Sequence, residues 1–93
     1  MKASVIITTR DRSRLLITRS IPSVFNQTYQ DYEIIIIDNH SQDDTTEQVK
    51  KLMRSSKKHI SYYRWEEERT LAYNRNAGVE KAHGEYIVWL DDD

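Results

Sequence analysis

Four short runs of β-branched and apolar residues recur along the chain, separated by stretches with a different period. "SVIITT" (4–9) reads as a strand, and "DRS" behind it as a break rich in helix-capping residues. From Ser13 the spacing changes: Leu15, Leu16, Ile21, Val24 and Phe25 fall on one helical face that ends near "NQTYQD". Pro22 lies inside that stretch and predicts a kink or a lost hydrogen bond. "YEIIIID" (32–38) is a second strand, and its isoleucines do not alternate with polar residues, so burial on both faces is expected. "SQDDTTEQVKKLMRSS" carries Asp and Thr for capping, then Val49, Leu52 and Met53 as a short apolar stripe. "HISYYRW" (59–65) alternates as a third strand, and "LAYNRNAGVEKAHG" reads as a helix closed by Gly84 at its C-terminal cap. "EYIVWL" (85–90) is the fourth strand.

Strand and helix alternate throughout, which argues for an α/β protein with a Rossmann-like parallel sheet and right-handed crossovers. The expected strand order is 3-2-1-4. In such sheets ligands bind beyond the carboxyl ends of the strands, where the strand order reverses. "TTRDR" follows strand one, "DNHSQDD" strand two and "DDD" strand four, so the polar clusters fall where a crevice is expected. One Pro and two Gly leave no flexible linker, and residues 1–93 are read as one domain.

Composition narrows the function classes. Fourteen basic and fifteen acidic residues give a net charge of −1, with no global field to attract nucleic acid or an anionic membrane. There is no cysteine, hence no disulfide framework and no thiolate metal site. The longest apolar stretch is the four isoleucines 34–37, far too short to span a bilayer, and the N-terminus lacks a secretory pattern. A soluble, cytoplasmic domain is expected.

Each polar cluster has two readings. Asp91, Asp92 and Asp93 are either a solvated acidic tail or a hard-oxygen site for Mg²⁺ or Mn²⁺, and spacing leaves both open. Strand alternation carried to the end of the chain places Asp91 and Asp93 on one side and Asp92 on the other. Asp38 is a turn carboxylate or an acceptor for a nucleoside, with Ser41, Asp43 and Asp44 competing to cap the next helix. "TTRDR" is a polar loop with its own salt bridge, or a nucleotide contact with Arg10 or Arg12 near phosphate. The P-loop and dinucleotide fingerprints are absent, and "DNHSQDDTTE" fails as a calcium loop because it lacks the turn glycine.

Together, "SVIITTRDR", "SIPSVFNQTYQDYEIIIIDNHSQDDT" and "NRNAGVEKAHGEYIVWLDDD" resemble the front half of a family 2 glycosyltransferase with the GT-A nucleotide-sugar-binding fold. The likeness covers essentially the whole chain. It implies that residues 1–93 are the nucleotide-sugar-binding half of that domain, truncated after a D-x-D motif at Asp91-Asp92-Asp93. By the same resemblance Asp93 and Asp91 are the metal ligands, for Mn²⁺ or Mg²⁺. Thr8, Thr9, Arg10, Asp38, Arg69, Arg75, Asp91 and Asp92 are the substrate-binding residues, with Asp38 accepting from a pyrimidine N–H. The donor is a nucleotide-diphospho-sugar, a UDP-sugar by family habit, and the acceptor in the full-length enzyme is a saccharide or a lipid-linked acceptor. No catalytic base is expected within the chain, since in the family it lies downstream, and the 93 residues alone are expected to be inactive. An exposed apolar patch and self-association are expected too. The alternatives are a receiver-like regulatory α/β domain, which also clusters aspartates around Mg²⁺, and an interaction domain with no ligand.

Overall fold

Strand β2 (Tyr32–Asp38) is buried along its entire length, as its unbroken isoleucines predict. In the computed structural model, which describes residues 1–93, β2 pairs in parallel with β1 (Ala3–Thr9) on one side and with β3 (Ile60–Arg64) on the other. β1 pairs in parallel with β4 (Tyr86–Leu90), giving the predicted order β3-β2-β1-β4. Three of the four strands are trimmed or extended by a residue at their ends relative to the sequence reading, within the ordinary uncertainty of strand termini.

Side chains of alternate parity leave β1 and β2 on opposite faces. Val5, Ile7, Ile34 and Ile36 point into the larger core with Leu16, Ile21, Val24 and Val49 from the helices of that face. Ile6, Ile35 and Ile37 form the smaller core with Tyr63, Trp65, Ala82 and Ile87. Each fully buried Ile or Leu contributes about 1.5–3 kcal/mol of burial free energy, so the two central strands dominate the stability.

The first helical segment shows how Pro22 is accommodated. It begins as α1 (Ser13–Leu15), widens to a π-helical stretch over Leu16–Ser20, and resumes as α2 (Ile21–Phe25). Pro22 thus stands in the first turn of α2, where its missing N–H costs no bond. The widened turn before it gives its ring room. Leu16 and Ile21 are fully buried on either side of the irregularity.

α3 (Thr45–Ser55) starts at a carboxylate one residue earlier than its own cap position. Asp44 makes no side-chain capping bond; Asp43 accepts from the Thr45 N–H at 3.0 Å and from the Thr45 hydroxyl. Asp43 also accepts from the Ser13 N–H at 3.2 Å, tying the start of α3 to the start of α1. Burial pushes the Asp43 carboxyl up, but the hydrogen bonds from Thr45 and Ser13 outweigh it and hold it below its ordinary value.

α4 (Leu71–Lys81) is capped by Thr70, whose hydroxyl accepts from the Tyr73 N–H at 3.1 Å. It ends through Ala82 in extended conformation, and no glycine has positive φ. Gly84 is therefore not the helix cap that the sequence suggests. It is a contact glycine: a Cβ there would lie 2.6 Å from the Ala3 carbonyl carbon and 2.7 Å from the Ser4 nitrogen. Ser4 accepts from the Gly84 N–H at 2.8 Å and donates to the fully buried Glu33 at 2.6 Å. Glu33 also accepts from the His83 N–H at 2.6 Å, so one carboxylate joins β1, β2 and the turn into β4. Burial alone would raise the Glu33 carboxyl, but the bonds from Ser4 and His83 hold it below its ordinary value of 4.5.

β4 is the least buried strand. It pairs only with β1, and Tyr86, Val88 and Trp89 are 60%, 44% and 49% exposed. An apolar groove of about 270 Å³ runs between it and α2, lined by Val5, Val24, Tyr32, Val88 and Leu90 among others. No helix is long and apolar enough to cross a membrane.

Two outcomes follow from the packing around β4. Gly84→Ala should cost about 1–3 kcal/mol, because the clash is with backbone and cannot be relieved by a rotamer; urea denaturation at neutral pH measures it, and an unchanged midpoint would contradict the close approach. Glu33 and Asp43 both have lowered pKa in the folded chain, so the unfolded chain binds more protons as acid is added. Their contribution is present above the ordinary carboxylate range and is lost as pH falls through it and below. Denaturation midpoints measured from pH 7 to pH 3 should therefore fall, and fall less steeply in Glu33→Gln than in the parent chain.

Candidate functional site

The parallel strands all end at one edge of the sheet, and the loops that follow them are locked together before any ligand is considered. The β1–β2 register puts Thr9 beside Asp38, and the Asn39 N–H continues the ladder to the Thr9 carbonyl at 2.9 Å. Asp11 sits at φ 52°, a left-handed conformation that Asp tolerates better than most residues. There its carboxylate accepts from the backbone N–H groups of Gln42 at 2.6 Å and Asp43 at 3.2 Å. Its own N–H donates to the Ser41 hydroxyl at 2.9 Å.

Asp38 anchors the second loop from beneath. Its carboxylate is fully buried; one oxygen accepts from the Ser41 N–H at 2.9 Å and the other from the Tyr62 hydroxyl. Burial, then the bond to Asp38, pushes the Tyr62 phenol far above its ordinary range, which keeps it a donor. The third loop is tied down by Asn39. Its side-chain amide accepts from the Arg69 N–H at 2.8 Å and donates to the Arg69 carbonyl at 3.1 Å. Trp65 completes the tie, donating from its indole to the buried Asn74 of α4 at 2.6 Å.

Between these loops lies a cleft of about 360 Å³. Thr8, Thr9, Arg10 and Arg12 line it from β1 and the loop after it, Asn39 from the end of β2, Leu71 and Asn74 from the first turn of α4, and Asp92 from the segment after β4. It opens at the carboxyl ends of β1 and β4, the adjacent strands flanking the reversal of strand order. The amino end of α4, with its positive dipole end, faces the same cleft.

Thr8, Thr9, Arg10 and Asp92 are thus brought together as the sequence suggests. The Thr9 hydroxyl donates to Asp92 Oδ2 at 3.0 Å. Arg10 is ion-paired with Glu68, which lines an adjacent concavity, and lies 3.9 Å from Asp11. The other predicted residues stand elsewhere. Asp38 does not reach the cleft, because both its oxygens are used inside the fold; its neighbour Asn39 does. Arg69 pairs with Glu67 at 3.2 Å, packs over the Tyr73 ring, and lines an adjacent concavity rather than the cleft. Arg75 lies 5.8 Å from the centre of the Trp89 ring, away from the cleft.

The aspartates also differ from the expected pairing. β4 ends at Leu90, so strand alternation does not extend through residues 91–93. Asp92 and Asp93, not Asp91 and Asp93, share a partner: the Arg12 guanidinium lies 3.8 Å from Asp92 Oδ2 and 3.7 Å from Asp93 Oδ2. Asp91 is exposed and takes no part in the cleft. No three acidic or histidine side chains are gathered into a metal-holding cluster. Arg12, offered by the sequence as an alternative to Arg10 near phosphate, lines the cleft together with Arg10. Asn39, Leu71 and Asn74 are cleft residues absent from the sequence-derived set, and they become visible only once α4 is packed over the sheet.

The receiver-type alternative needs an acidic pair after strand one and a phosphorylatable Asp after strand three. Asp11 spends its carboxylate on the neighbouring loop, and β3 is followed by "WEEER". The arrangement does not fit.

Comparison with known proteins agrees with the geometry. Residues 4–93 match the family described as Glycosyl transferase family 2. The GalNAc(5)-diNAcBac-PP-undecaprenol beta-1,3-glucosyltransferase of Campylobacter jejuni is 35% identical over 92 residues, covering 99% of this chain and 29% of that protein. S. aureus TarS 1-349, solved in complex with UDP-GlcNAc, superposes with a TM-score of 0.82 at 28% identity, over 100% of this chain and 27% of that one. GalNAc-T7, solved with UDP, GalNAc and Mn²⁺, superposes with a TM-score of 0.87 at 25% identity, over 98% of this chain and 17% of that one. The chain therefore spans less than a third of the length of each of these relatives. Its fold, with a parallel sheet of order β3-β2-β1-β4, is that of GT-A glycosyltransferases. The chain belongs to glycosyl transferase family 2.

Proposed function

We propose that residues 1–93 form the donor-binding half of an inverting glycosyltransferase that takes a nucleotide-diphospho-sugar, a UDP-sugar first, together with Mn²⁺ or Mg²⁺. The observation that carries this reading is the meeting of opposite charges at one cleft: Asp92 in its lining and Asp93 beside Arg12, with Arg10, Arg12 and the amino end of α4 around it. A diphosphate with a bound divalent cation presents both signs at once, and such a cleft complements it.

The residues fit a hard cation. Asp92 and Asp93 offer carboxylate oxygens, the donor type Mg²⁺ and Mn²⁺ prefer, and these ions usually complete their shell with substrate phosphate and water. When bound, the cation supplies Lewis-acid neutralisation of the charge developing on the leaving diphosphate. The chain's own residues do the rest of the binding. Thr9 orients Asp92 by its hydrogen bond. Arg10 and Arg12 attract phosphate oxygens, and Thr8 and Asn39 border the space for base and ribose. Asn39 takes the place first given to Asp38, which acts as the buried peg beneath the loop.

In the complete enzyme an acceptor hydroxyl, on a saccharide or a lipid-linked acceptor, attacks the anomeric carbon from the side opposite the diphosphate. The new C–O bond forms as the bond to the diphosphate breaks, and the hydroxyl proton passes to a carboxylate base. That base and the acceptor site are assigned to sequence beyond residues 1–93, in keeping with relatives of more than three times this length. On this reading the 93 residues bind donor without transferring sugar, and act in the cytoplasm.

Calorimetric titration with UDP tests it. Binding in the presence of Mn²⁺ should weaken about tenfold or more with EDTA, and similarly in Asp92→Asn, the loss expected for one charge-assisted contact. GDP in the same cell reports base preference. UDP affinity that ignores both the metal and Asp92 would refute the reading.

A further inference from the structure

We propose that Arg12 is a built-in counter-cation for Asp92 and Asp93, which leaves them for the diphosphate when donor and metal bind together. The inference rests on the donor-site reading above and adds a coupling between the two ligands that runs through one side chain.

Three successive carboxylates end the chain, and two of them lie close to one guanidinium. Like charges about 4 Å apart repel by roughly 1 kcal/mol in water and by about 4 kcal/mol at the effective dielectric of a protein surface. A cation held near both relieves that repulsion. Arg12 is the only basic side chain within 4.0 Å of either; the other arginine of the cleft, Arg10, is engaged by Glu68 and Asp11.

The distances matter. Charge-assisted hydrogen bonds run at about 2.7–2.9 Å, whereas Arg12 stands 3.8 Å from Asp92 and 3.7 Å from Asp93. It balances the charge without closing the oxygens' coordination. Asp92 is positioned independently by Thr9 at 3.0 Å, so it stays in place if the arginine moves.

Arg12 is also built to move. Its backbone is fixed: its carbonyl accepts the Leu16 N–H at 2.9 Å, and the adjacent Asp11 is pinned to the second loop. Its side chain is 50% exposed, with both ion pairs at its tip. The guanidinium can turn from carboxylate to phosphate by rotamer change alone, and its planar fork suits two phosphate oxygens. A divalent cation arriving by itself has to displace Arg12 from the aspartates and leaves it without a partner. A cation arriving with a diphosphate gives Arg12 a new one. Metal alone is disfavoured, and metal with nucleotide is favoured.

The test uses the full chain, with folding of each variant checked by circular dichroism. Free Mn²⁺ is followed by its electron paramagnetic resonance signal, and UDP affinity at saturating Mn²⁺ by calorimetry. Arg12→Met should bind Mn²⁺ alone about three- to tenfold more tightly than the parent, and should bind UDP with Mn²⁺ about tenfold more weakly. Arg12→Lys should return Mn²⁺ affinity towards the parent value while leaving UDP binding weakened, because a lysine keeps the charge and loses the fork. Asp92→Asn should abolish the gain when combined with Arg12→Met, which places the ion at this site. If Mn²⁺ binds equally to parent and Arg12→Met, the counter-cation role is wrong and the metal site stands. If neither binds Mn²⁺, with or without UDP, both are wrong.

Discussion

The register between β1 and β2 is the constraint on which the rest depends. Because Thr9 stands beside Asp38, the first two loops leave the sheet side by side, close enough for Asp11 to reach Gln42 and Asp43, and for Asp43 to reach Ser13. A slip of one residue would turn Ile34 and Ile36 from the larger core to the smaller one and take Asp38 away from Tyr62. The isoleucines prevent the slip. Thus the apolar content of β2, which has no chemistry of its own, fixes the positions of the polar residues at its end.

Much of this was legible in the chain. The unbroken run at 34–37 announced a buried parallel strand, the alternation of elements announced a parallel sheet, and the expected order 3-2-1-4 is the one observed. Thr8, Thr9, Arg10 and Asp92 were assigned to the site by the resemblance to the family, and they do line the cleft. Where regular structure stops, strand geometry no longer applies. Asp91 and Asp93 were paired by extending an alternation that ends at Leu90. Gly84 was read by the commonest habit of glycine after a helix, while its actual constraint is a strand distant in sequence. Asp38 and Asn39 are adjacent, and which of them faces in depends on a hydrogen-bonded turn that spacing does not specify.

The two carboxylates most deeply used by the fold, Asp38 and Glu33, lie at opposite ends of β2. Each is saturated by donors from other elements, so neither is available to a ligand. Asp92 and Asp93, just beyond the end of the least buried strand, are held by longer contacts. The acids that hold the fold and those proposed to meet the donor are thereby separated by burial, in a chain whose acids and bases nearly cancel overall.

Asp11 carries two unrelated obligations at one position. Its backbone occupies the left-handed region at φ 52°, which glycine or asparagine accepts readily and β-branched residues resist. Its side chain must present an oxygen to two backbone donors, which glycine cannot do and asparagine does with a weaker acceptor. The set of residues that satisfies both is almost empty apart from aspartate itself. A loop can therefore be as intolerant of change as a buried core, and this one buys that intolerance without any contact to a ligand.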